Sequence, residues 1–263
     1  MRKDYICISM HDKTRYFLFL CYRGTNFHGW QIQPGADTIQ QSLDKALSMV
    51  LRDDIKTTGA GRTDAGVHAM TFCAHFDCKS DIPETDNNFI FRLNRILPPD
   101  IAIRSIRKVI ADASARYSAV SRTYEYHISR RKDPFRDAYS WYIHGPMHTE
   151  IMNKSCSILL KYKDFTSFAR LHSDNKTNIC RVFSAKWEES DEMLVFTIRA
   201  DRFLRNMVRA ITGTMVDIGT GKISLEEFEE IILSLNRGRA GKSAPAKGLF
   251  LTDIEYPEDI FTS

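Results

Sequence analysis

An eleven-residue segment, Gly59–Ala69 (GAGRTDAGVHA), carries the most specific chemical signal in the sequence. It places one carboxylate, Asp64, between glycines, with the guanidinium of Arg62 two residues before it. Glycine adopts backbone angles that other residues avoid, so such a loop can present an acid in a cleft at the end of a strand. A nearby cation favours the ionised carboxylate, which can act as a nucleophile or as a base. An isolated Asp near Gly is more often an ordinary turn, and only the surrounding order of residue types favours a catalytic loop here.

The segment 22–31 (YRGTNFHGWQ) alternates aromatic residues with small and amide residues. Such a loop offers stacking faces for bases and donors for phosphate, which suits nucleic-acid binding. It is equally typical of an ordinary loop anchored in the core by Trp30. The segment by itself leaves both interpretations open.

Residues 121–129 predict a strand on which Arg122, Tyr124 and Tyr126 lie on one face. One of these tyrosines can stack on a base and offer its hydroxyl for proton transfer. A tyrosine in a strand is nevertheless more often structural. This motif therefore also leaves two interpretations open.

Arg202, Arg205 and Arg209 recur at the helical spacings of three and four residues, which predicts one cationic face on a helix over 203–218. That face can bind phosphates or pair with a carboxylate, and the alternative is a solvated stripe. Apolar residues near Arg209 predict its partial burial, and a partly buried arginine requires an acidic partner. Asp64 is the candidate partner.

Size and composition describe an ordinary globular protein of 263 residues, with 43% hydrophobic residues and a formal net charge of +4. No apolar run is long enough for a membrane span or a secretory signal, which predicts a cytoplasmic protein. Cationic residues concentrate between positions 92 and 136. This suits a surface that binds a phosphate backbone, although solvated side chains explain the charge equally well.

Metal and cofactor sites lack their usual anchors in this sequence. The six cysteines are widely spaced without a Cys-x-x-Cys pair, so core thiols are expected rather than a zinc site or disulfides. The glycines at 59 and 61 resemble the start of a dinucleotide-binding fingerprint, but a strand follows them and that fingerprint requires a helix there. Gly-Lys-Ser at 241–243 resembles the end of a P-loop, but it follows a helix and a P-loop follows a strand. The segment 68–70 (HAM) has methionine in place of the glutamate of zinc deaminases. We therefore expect no metal and no nucleotide cofactor.

Hydrophobic periodicity predicts the same order of elements, βαββαβ, in each half of the chain. In the first half we expect strands at 16–22, 55–58, 70–77 and 101–109, and helices at 39–51, with Thr38 as N-cap, and 87–97. In the second half we expect strands at 121–129, 181–187, 194–200 and 249–254, and helices at 149–161, 203–218 and 225–235, with Ser224 as N-cap.

This order predicts an α+β fold made of two ferredoxin-like halves, residues 1–112 and 113–263. The halves are expected to join into one mainly antiparallel sheet, with helices packed on it and a central cleft. Asp64 then lies at the end of a central strand, where the cleft opens.

Taken together, these motifs resemble the TruA family of tRNA pseudouridine synthases. The resemblance runs nearly end to end and rests on the segments 24–31, 59–69, 122–126, 164–168 (DFTSF), 203–209 and 244–251 (APAKGLFL), together with Gln33, Arg116 and Arg181. The block GRTDAGVHA at 61–69 is highly specific to that family. The chain departs from the family pattern at Arg205-Asn206, where the family usually has histidines or other polar residues.

The resemblance implies the pseudouridine synthase fold and the isomerisation of uridine to pseudouridine in the anticodon stem-loop of tRNA, at tRNA positions 38, 39 and 40. It also implies a homodimer in which one tRNA contacts both subunits, without cofactor or metal. Asp64 would act at the ribose of a flipped-out uridine. Attack at C1′ and removal of the C2′ proton both remain open.

The resemblance also assigns roles to the other candidate residues. Tyr124 would stack on the uracil, and Arg209 would hold Asp64 ionised. Arg62 would fill the space that the flipped base leaves, and Leu249 would form an apolar wall beneath the base. RNA contacts are expected from Arg122, Arg202 and Arg205.

Two other classes of function compete with the isomerase. One is a catalytically silent RNA-binding module on the same scaffold, which has no need of a nucleophile at Asp64. The other is a zinc-dependent base deaminase, which Met70 disfavours. Whether the chain is an isomerase or a catalytically silent RNA-binding module, its affinity for tRNA should fall steeply as the salt concentration rises.

Overall fold

The computed structural model describes residues 13–84, 86–171 and 176–262. This part of the chain forms nine strands and five α-helices. In chain order they are β1 (Thr14–Tyr22), α1 (Ile39–Leu51), β2 (Thr58–Gly59), β3 (His68–Cys78), α2 (Asn87–Ile96), β4 (Ile101–Val109), β5 (Ser121–Ser129), β6 (Trp141–Tyr142), α3 (Thr149–Leu159), β7 (Val182–Glu189), β8 (Met193–Ala200), α4 (Met207–Gly219), α5 (Leu225–Leu233) and β9 (Leu249–Glu255). The α+β class predicted from the sequence is confirmed.

All the strands belong to one sheet with the order β4-β1-β3-β9-β5-β8-β7, with β2 paired to β3 and β6 paired to β5. The first four strands of the chain have the order β4-β1-β3-β2, and β9-β5-β8-β7 repeats that order with the corresponding strands. Every pairing inside each set of four is antiparallel. The sets meet where β9 runs parallel to the start of β3, through His68↔Phe250 and Ala69↔Leu251.

The repeated order of elements agrees with the two halves read from periodicity, and the division at residue 112 stays a prediction. The last strand couples the two halves. Leu251 and Ile254 of β9 are buried with the first half, whereas Leu249 is buried with the second. The junction of the sheet is therefore a packed seam, and Asp64 lies beside it in the β2–β3 loop.

Strand β1 is buried on both of its faces. Tyr16 and Phe17 point to opposite faces of the strand, yet both are fully buried. On one face the cluster includes Leu43 of α1, and on the other Phe17 meets Tyr256 and Phe261 edge-to-face at 5.0 and 6.0 Å between ring centroids. A fully buried side chain of this size contributes about 2 kcal/mol of hydrophobic free energy.

Helix boundaries follow the capping residues expected from the sequence. The Thr38 hydroxyl accepts the backbone N–H of Gln41 at the start of α1. Ser224 and Glu227 form the reciprocal capping box at the start of α5. The fourth helix differs, because it begins at Met207 and not near residue 203.

The cysteines within the described residues are free thiols, and all but Cys21 are buried. Cys7 lies outside the described residues. None of the helices in the part of the chain that the structure describes is both long and apolar enough to span a membrane.

Candidate active site

Hydrogen bonds hold the β2–β3 loop that carries Asp64 to strand β3, to Tyr22 and to Trp30. Its first residue, Ala60, donates its N–H to the Cys73 carbonyl at 2.8 Å, which continues the pairing with β3. The Thr63 hydroxyl lies 2.8 Å from the buried Tyr22 hydroxyl, and the Thr63 carbonyl accepts the N–H of Trp30. The aromatic segment 22–31 therefore supports the Asp64 loop, and the anchoring role of Trp30 in the core is confirmed.

Close backbone contact explains why position 24, in the supporting segment 22–31, is a glycine. A Cβ atom on Gly24 would lie 2.0 Å from the Val67 carbonyl oxygen, far inside van der Waals contact. The N–H of Gly24 also donates to Nδ1 of the buried His68 at 3.1 Å. The segment 22–31 and the Asp64 loop can thus approach this closely only with glycine at position 24.

We expect Gly24→Ala to lower the free energy of unfolding by about 2 kcal/mol or more, because the added methyl group must displace backbone. Gly61→Ala is the matched control within the Asp64 loop, since a Cβ at that position meets nothing within 4 Å. Urea unfolding curves of both variants measure the difference. Equal stability of the two variants would contradict the close packing of these loops.

The Asp64 carboxylate lies between two arginines from the second half of the chain. Arg209 Nη1 donates to Asp64 Oδ2 at 3.1 Å, and Arg205 Nε donates to Oδ1 at 3.4 Å. Exposed fractions of the side chains are 17% for Asp64, 21% for Arg209 and 47% for Arg205. The acid is therefore largely shielded by the two arginines but remains open to solvent, as a group that meets a substrate must be.

Arg209 is the better positioned of the two arginines. It lies in the first turn of α4, and its Nε donates to the Ala244 carbonyl at 2.7 Å while Nη1 reaches Asp64. Two partners in one plane fix the guanidinium, which suits its rigid fork of donors. The predicted pairing of Arg209 with Asp64 is present in the structure.

The predicted cationic helix face over 202–209 is wrong. Asn206 has a φ of 67°, in the left-handed region, and α4 begins only after it. The residues before it form a loop in which the Asp201 carboxylate accepts the backbone N–H groups of Arg181 and Arg202. Arg205 therefore reaches Asp64 from a loop. Within the described residues, the Arg202 side chain has no ion pair.

Tyr124 lies on β5 beside Leu251 of β9, and its ring meets Phe203 edge-to-face at 5.1 Å between centroids. Burial raises the pKa of the Tyr124 hydroxyl to about 12; the positive charge of Arg122 opposes this shift, and the negative charge of Asp64 makes a smaller contribution in the same direction as burial. The phenol is therefore protonated at neutral pH and can donate a hydrogen bond or a proton. Leu249, two positions before Leu251, is buried in the cluster that Tyr124 packs against.

The structure places Arg122 differently from expectation. Only 9% of Arg122 is exposed, and its guanidinium donates to the backbone carbonyls of Ala60, Arg116 and Asp201. Burial lowers the pKa of this guanidinium. Arg122 thus fastens three loops to one another, and little of its surface remains exposed for the expected RNA contact.

Arg62 is exposed at the mouth of the cleft, where its Nε donates to Gln31 Oε1 at 3.1 Å. Sequence reasoning missed this partner, and it also missed the Tyr22–Thr63 pair and the Ala244 carbonyl. Segment 244–251 belongs to the family resemblance, which was the available signal for Ala244.

Within the residues that the structure describes, no group of three or more His, Cys, Asp or Glu side chains could hold a metal ion.

Comparison with known proteins agrees with this geometry. Residues 20–118 and 162–257 match the family model described as tRNA pseudouridine synthase. The chain therefore belongs to the tRNA pseudouridine synthase family, a class of isomerases that act on tRNA.

Within that class, the chain is similar to proteins named tRNA pseudouridine synthase A. It is 51% identical to the one from Bacteroides thetaiotaomicron, over 94% of this chain and 93% of the relative. It is 50% identical to the one from Bacteroides fragilis, over 94% of this chain and 98% of the relative. A more distant relative, from Acetivibrio thermocellus, is 37% identical over 91% of this chain and 98% of its own length. The family resemblance seen in the sequence motifs is confirmed.

Proposed function

We propose that this protein isomerises uridine to pseudouridine in the anticodon stem-loop of tRNA, at tRNA positions 38, 39 and 40, with Asp64 as the catalytic group. The observation that carries the proposal is the Asp64 carboxylate in a partly open cleft, paired with Arg209 and close enough to Tyr124 to raise the pKa of its hydroxyl. An acid, a cation and a neutral phenol from separate elements converge there. The names of the relatives, at up to 51% identity over most of the chain, support the same substrate class.

The reaction itself needs few groups. The bond between C1′ of the ribose and N1 of the uracil breaks, the uracil turns, and a bond forms between C1′ and C5. The proton on C5 then leaves, and N1 gains one, so the product is an isomer and no electrons are transferred. One carboxylate at the ribose and a pocket that retains the detached base are sufficient. Asp64 acts by attack at C1′ or by removal of the C2′ proton, and both routes fit one acid.

The other cleft residues have separate roles in this proposal. Tyr124 stacks on the uracil and can move a proton in the final step. Leu249 forms the apolar wall beneath the base, and Arg209 pairs with the Asp64 carboxylate and holds it in position. A base inside a stacked stem-loop must be flipped out, and exposed Arg62 fills the space that it leaves. Arg205 and Arg202, at the rim, contact phosphates.

The finer organisation is part of the same proposal. The protein is a cytoplasmic homodimer in which one tRNA contacts both subunits. Residues 1–112 supply the Asp64 loop, and residues 113–263 complete the cleft. No metal and no nucleotide cofactor are required, since the isomerisation involves neither redox change nor an added group.

The experiment that tests the function is mass-spectrometric mapping of pseudouridine in transcribed tRNA incubated with the pure protein and no additives. We expect pseudouridine at positions 38, 39 or 40 wherever the transcript has uridine there, and nowhere else in the molecule. Transcripts with cytidine at those positions are the control. Product elsewhere in the tRNA would contradict the proposed site, and absence of product would contradict the function.

A further inference from the structure

A cleft opens beside the Asp64 loop, and Gly59, Gly61 and Arg62 at the start of that loop line it. It has a volume of about 110 Å³, against about 30 Å³ per molecule in liquid water, so it has room for a group of phosphate size. The polar side chains that line it are those of Gln31, Gln40, Thr57, Thr58, Arg62 and Arg116. No carboxylate is among the described residues that line it.

The two arginines of this cleft differ from those that face Asp64. Within the described part of the chain, the one hydrogen bond of the Arg62 guanidinium is to the neutral Gln31 amide, and neither Arg62 nor Arg116 has an ion pair. The Arg116 guanidinium lies over the ring of Tyr117, 5.4 Å from its centroid. Two uncompensated guanidinium groups on one cleft create a positive potential that favours an anion.

Tyr117 adds an aromatic surface next to this anion site. Tyr117 is 80% exposed, so its ring is accessible to a base. Aromatic rings and guanidinium planes are the surfaces on which proteins stack unpaired nucleic-acid bases. The combination suits a nucleotide, with its phosphate in the cleft and its base on the ring.

The walls of the cleft are fixed to each other and to the Asp64 loop by the buried Arg122. Its guanidinium donates to the carbonyl of Ala60, at the start of the loop, and to that of Arg116. Arg62 lies two residues before Asp64 in the same loop. A nucleotide bound in this cleft would therefore be held at a set distance from the reacting uridine.

We propose that this cleft binds the nucleotide adjacent to the target uridine in the RNA chain. Arg116 binds its phosphate, the Gln31 amide donates to the same phosphate group, and Tyr117 stacks on its base, while Arg62 adds its positive charge to the cleft. This inference rests on the proposed function and adds a second anchor that holds the flipped-out uridine over Asp64.

The test uses Arg116→Ala and Tyr117→Ala in the full-length protein, with an anticodon stem-loop RNA as the probe. Both side chains are exposed, so neither change should affect folding. Controls are Arg104→Ala, which removes an exposed arginine from the outer strand β4, and Phe91→Ala, which removes an exposed ring beside Arg95 on α2. We expect the Kd of each cleft variant to rise about tenfold, and that of each control less than twofold.

Two further readouts separate phosphate binding from stacking. The slope of log K against log salt should become shallower by about one for Arg116→Ala and stay unchanged for Tyr117→Ala. A stem-loop with one neutral methylphosphonate linkage next to the target should abolish the effect of Arg116→Ala. An abasic nucleotide at one neighbouring position should abolish that of Tyr117→Ala. The rate at saturating RNA should stay within about threefold of wild type, because Asp64 is untouched.

The inference is overturned if the cleft variants bind like their controls, or if their defects persist with every modified RNA. The inference would equally be overturned if the variants bound RNA more weakly because their oligomeric state had changed. The surface would then bind a second copy of the chain. Pseudouridine formation by the wild-type protein is unaffected by any of these results. Failure of the cleft proposal is thereby distinguishable from failure of the proposed function.

Discussion

Replacing Asp64 by asparagine should reduce pseudouridine formation by about 10³-fold or more, while the affinity for tRNA stays within about threefold of wild type. Asparagine has the same shape and can still accept the hydrogen bond from Arg209, so the cleft should keep its structure. It has no negative charge with which to attack C1′ or to remove the C2′ proton. Binding relies on cations around the cleft, and loss of one carboxylate does not weaken their attraction for phosphate.

Quantitative product mapping under single-turnover conditions, together with a binding titration, measures both effects. Asp77→Asn is the matched control, because Asp77 is also paired with an arginine, Arg15 at 2.7 Å, but lies at the far end of β3. That variant should form pseudouridine at the wild-type rate. Substantial product from Asp64→Asn would remove the catalytic assignment and favour another nucleophile. Loss of tRNA binding in this variant would instead indicate a structural acid.

The second large effect is expected for Arg209→Met, which should lower the rate at saturating tRNA by about 10²-fold with little change in KM. Arg209 contacts Asp64 and the Ala244 carbonyl, so it positions the acid and stabilises its charge. Methionine keeps much of the apolar stem but leaves both partners without that donor. The change acts on Asp64 rather than on RNA binding, so the defect should appear in kcat.

Arg205→Met is the control that the structure provides. Arg205 also reaches Asp64, but at 3.4 Å and with a side chain 47% exposed, so solvent screens its contribution. Its loss should change kcat by less than about threefold and raise KM if Arg205 contacts phosphate. Arg209→Lys should recover only part of the activity, because a single ammonium does not reproduce the planar fork that serves both partners. Equal defects in kcat for Arg205→Met and Arg209→Met would contradict the assigned geometry.

Much of the fold was predictable because local patterns and tertiary packing agree over most of the chain. The alternation in 70–77 belongs to the real strand β3, and Thr38 and Ser224 cap the helices that they were expected to cap. The start of α4 was not predictable in the same way. Arginines at helical spacing looked like one helix face, but Asn206 in the left-handed region delays the helix until residue 207. Spacing cannot show that a polar turn before a helix is held by Asp201.

Some candidate site residues could be assigned from the sequence, and others could not. The Asp64 loop and its pairing with Arg209 could be inferred from residue types, since a partly buried arginine needs an acid. Arg122 could not be assigned correctly, because an arginine on a strand has the same sequence pattern whether it meets RNA or buried carbonyls. Its burial depends on the loops at 60, 116 and 201, which are distant in the chain and meet only in the folded protein.

By itself, the sequence determined the class of fold, the repeated order of elements, the acid that faces the cleft and the family to which the chain belongs. These are properties of local composition and spacing, which the chain carries before it folds. Only the tertiary structure decided that Arg205 also reaches Asp64, that Arg122 is buried among carbonyls, and which arginines in the described part of the chain remain without an acidic partner. That outcome depends on solvent exposure and on the distance between charges, and both arise only when the two halves of the sheet meet along β3 and β9.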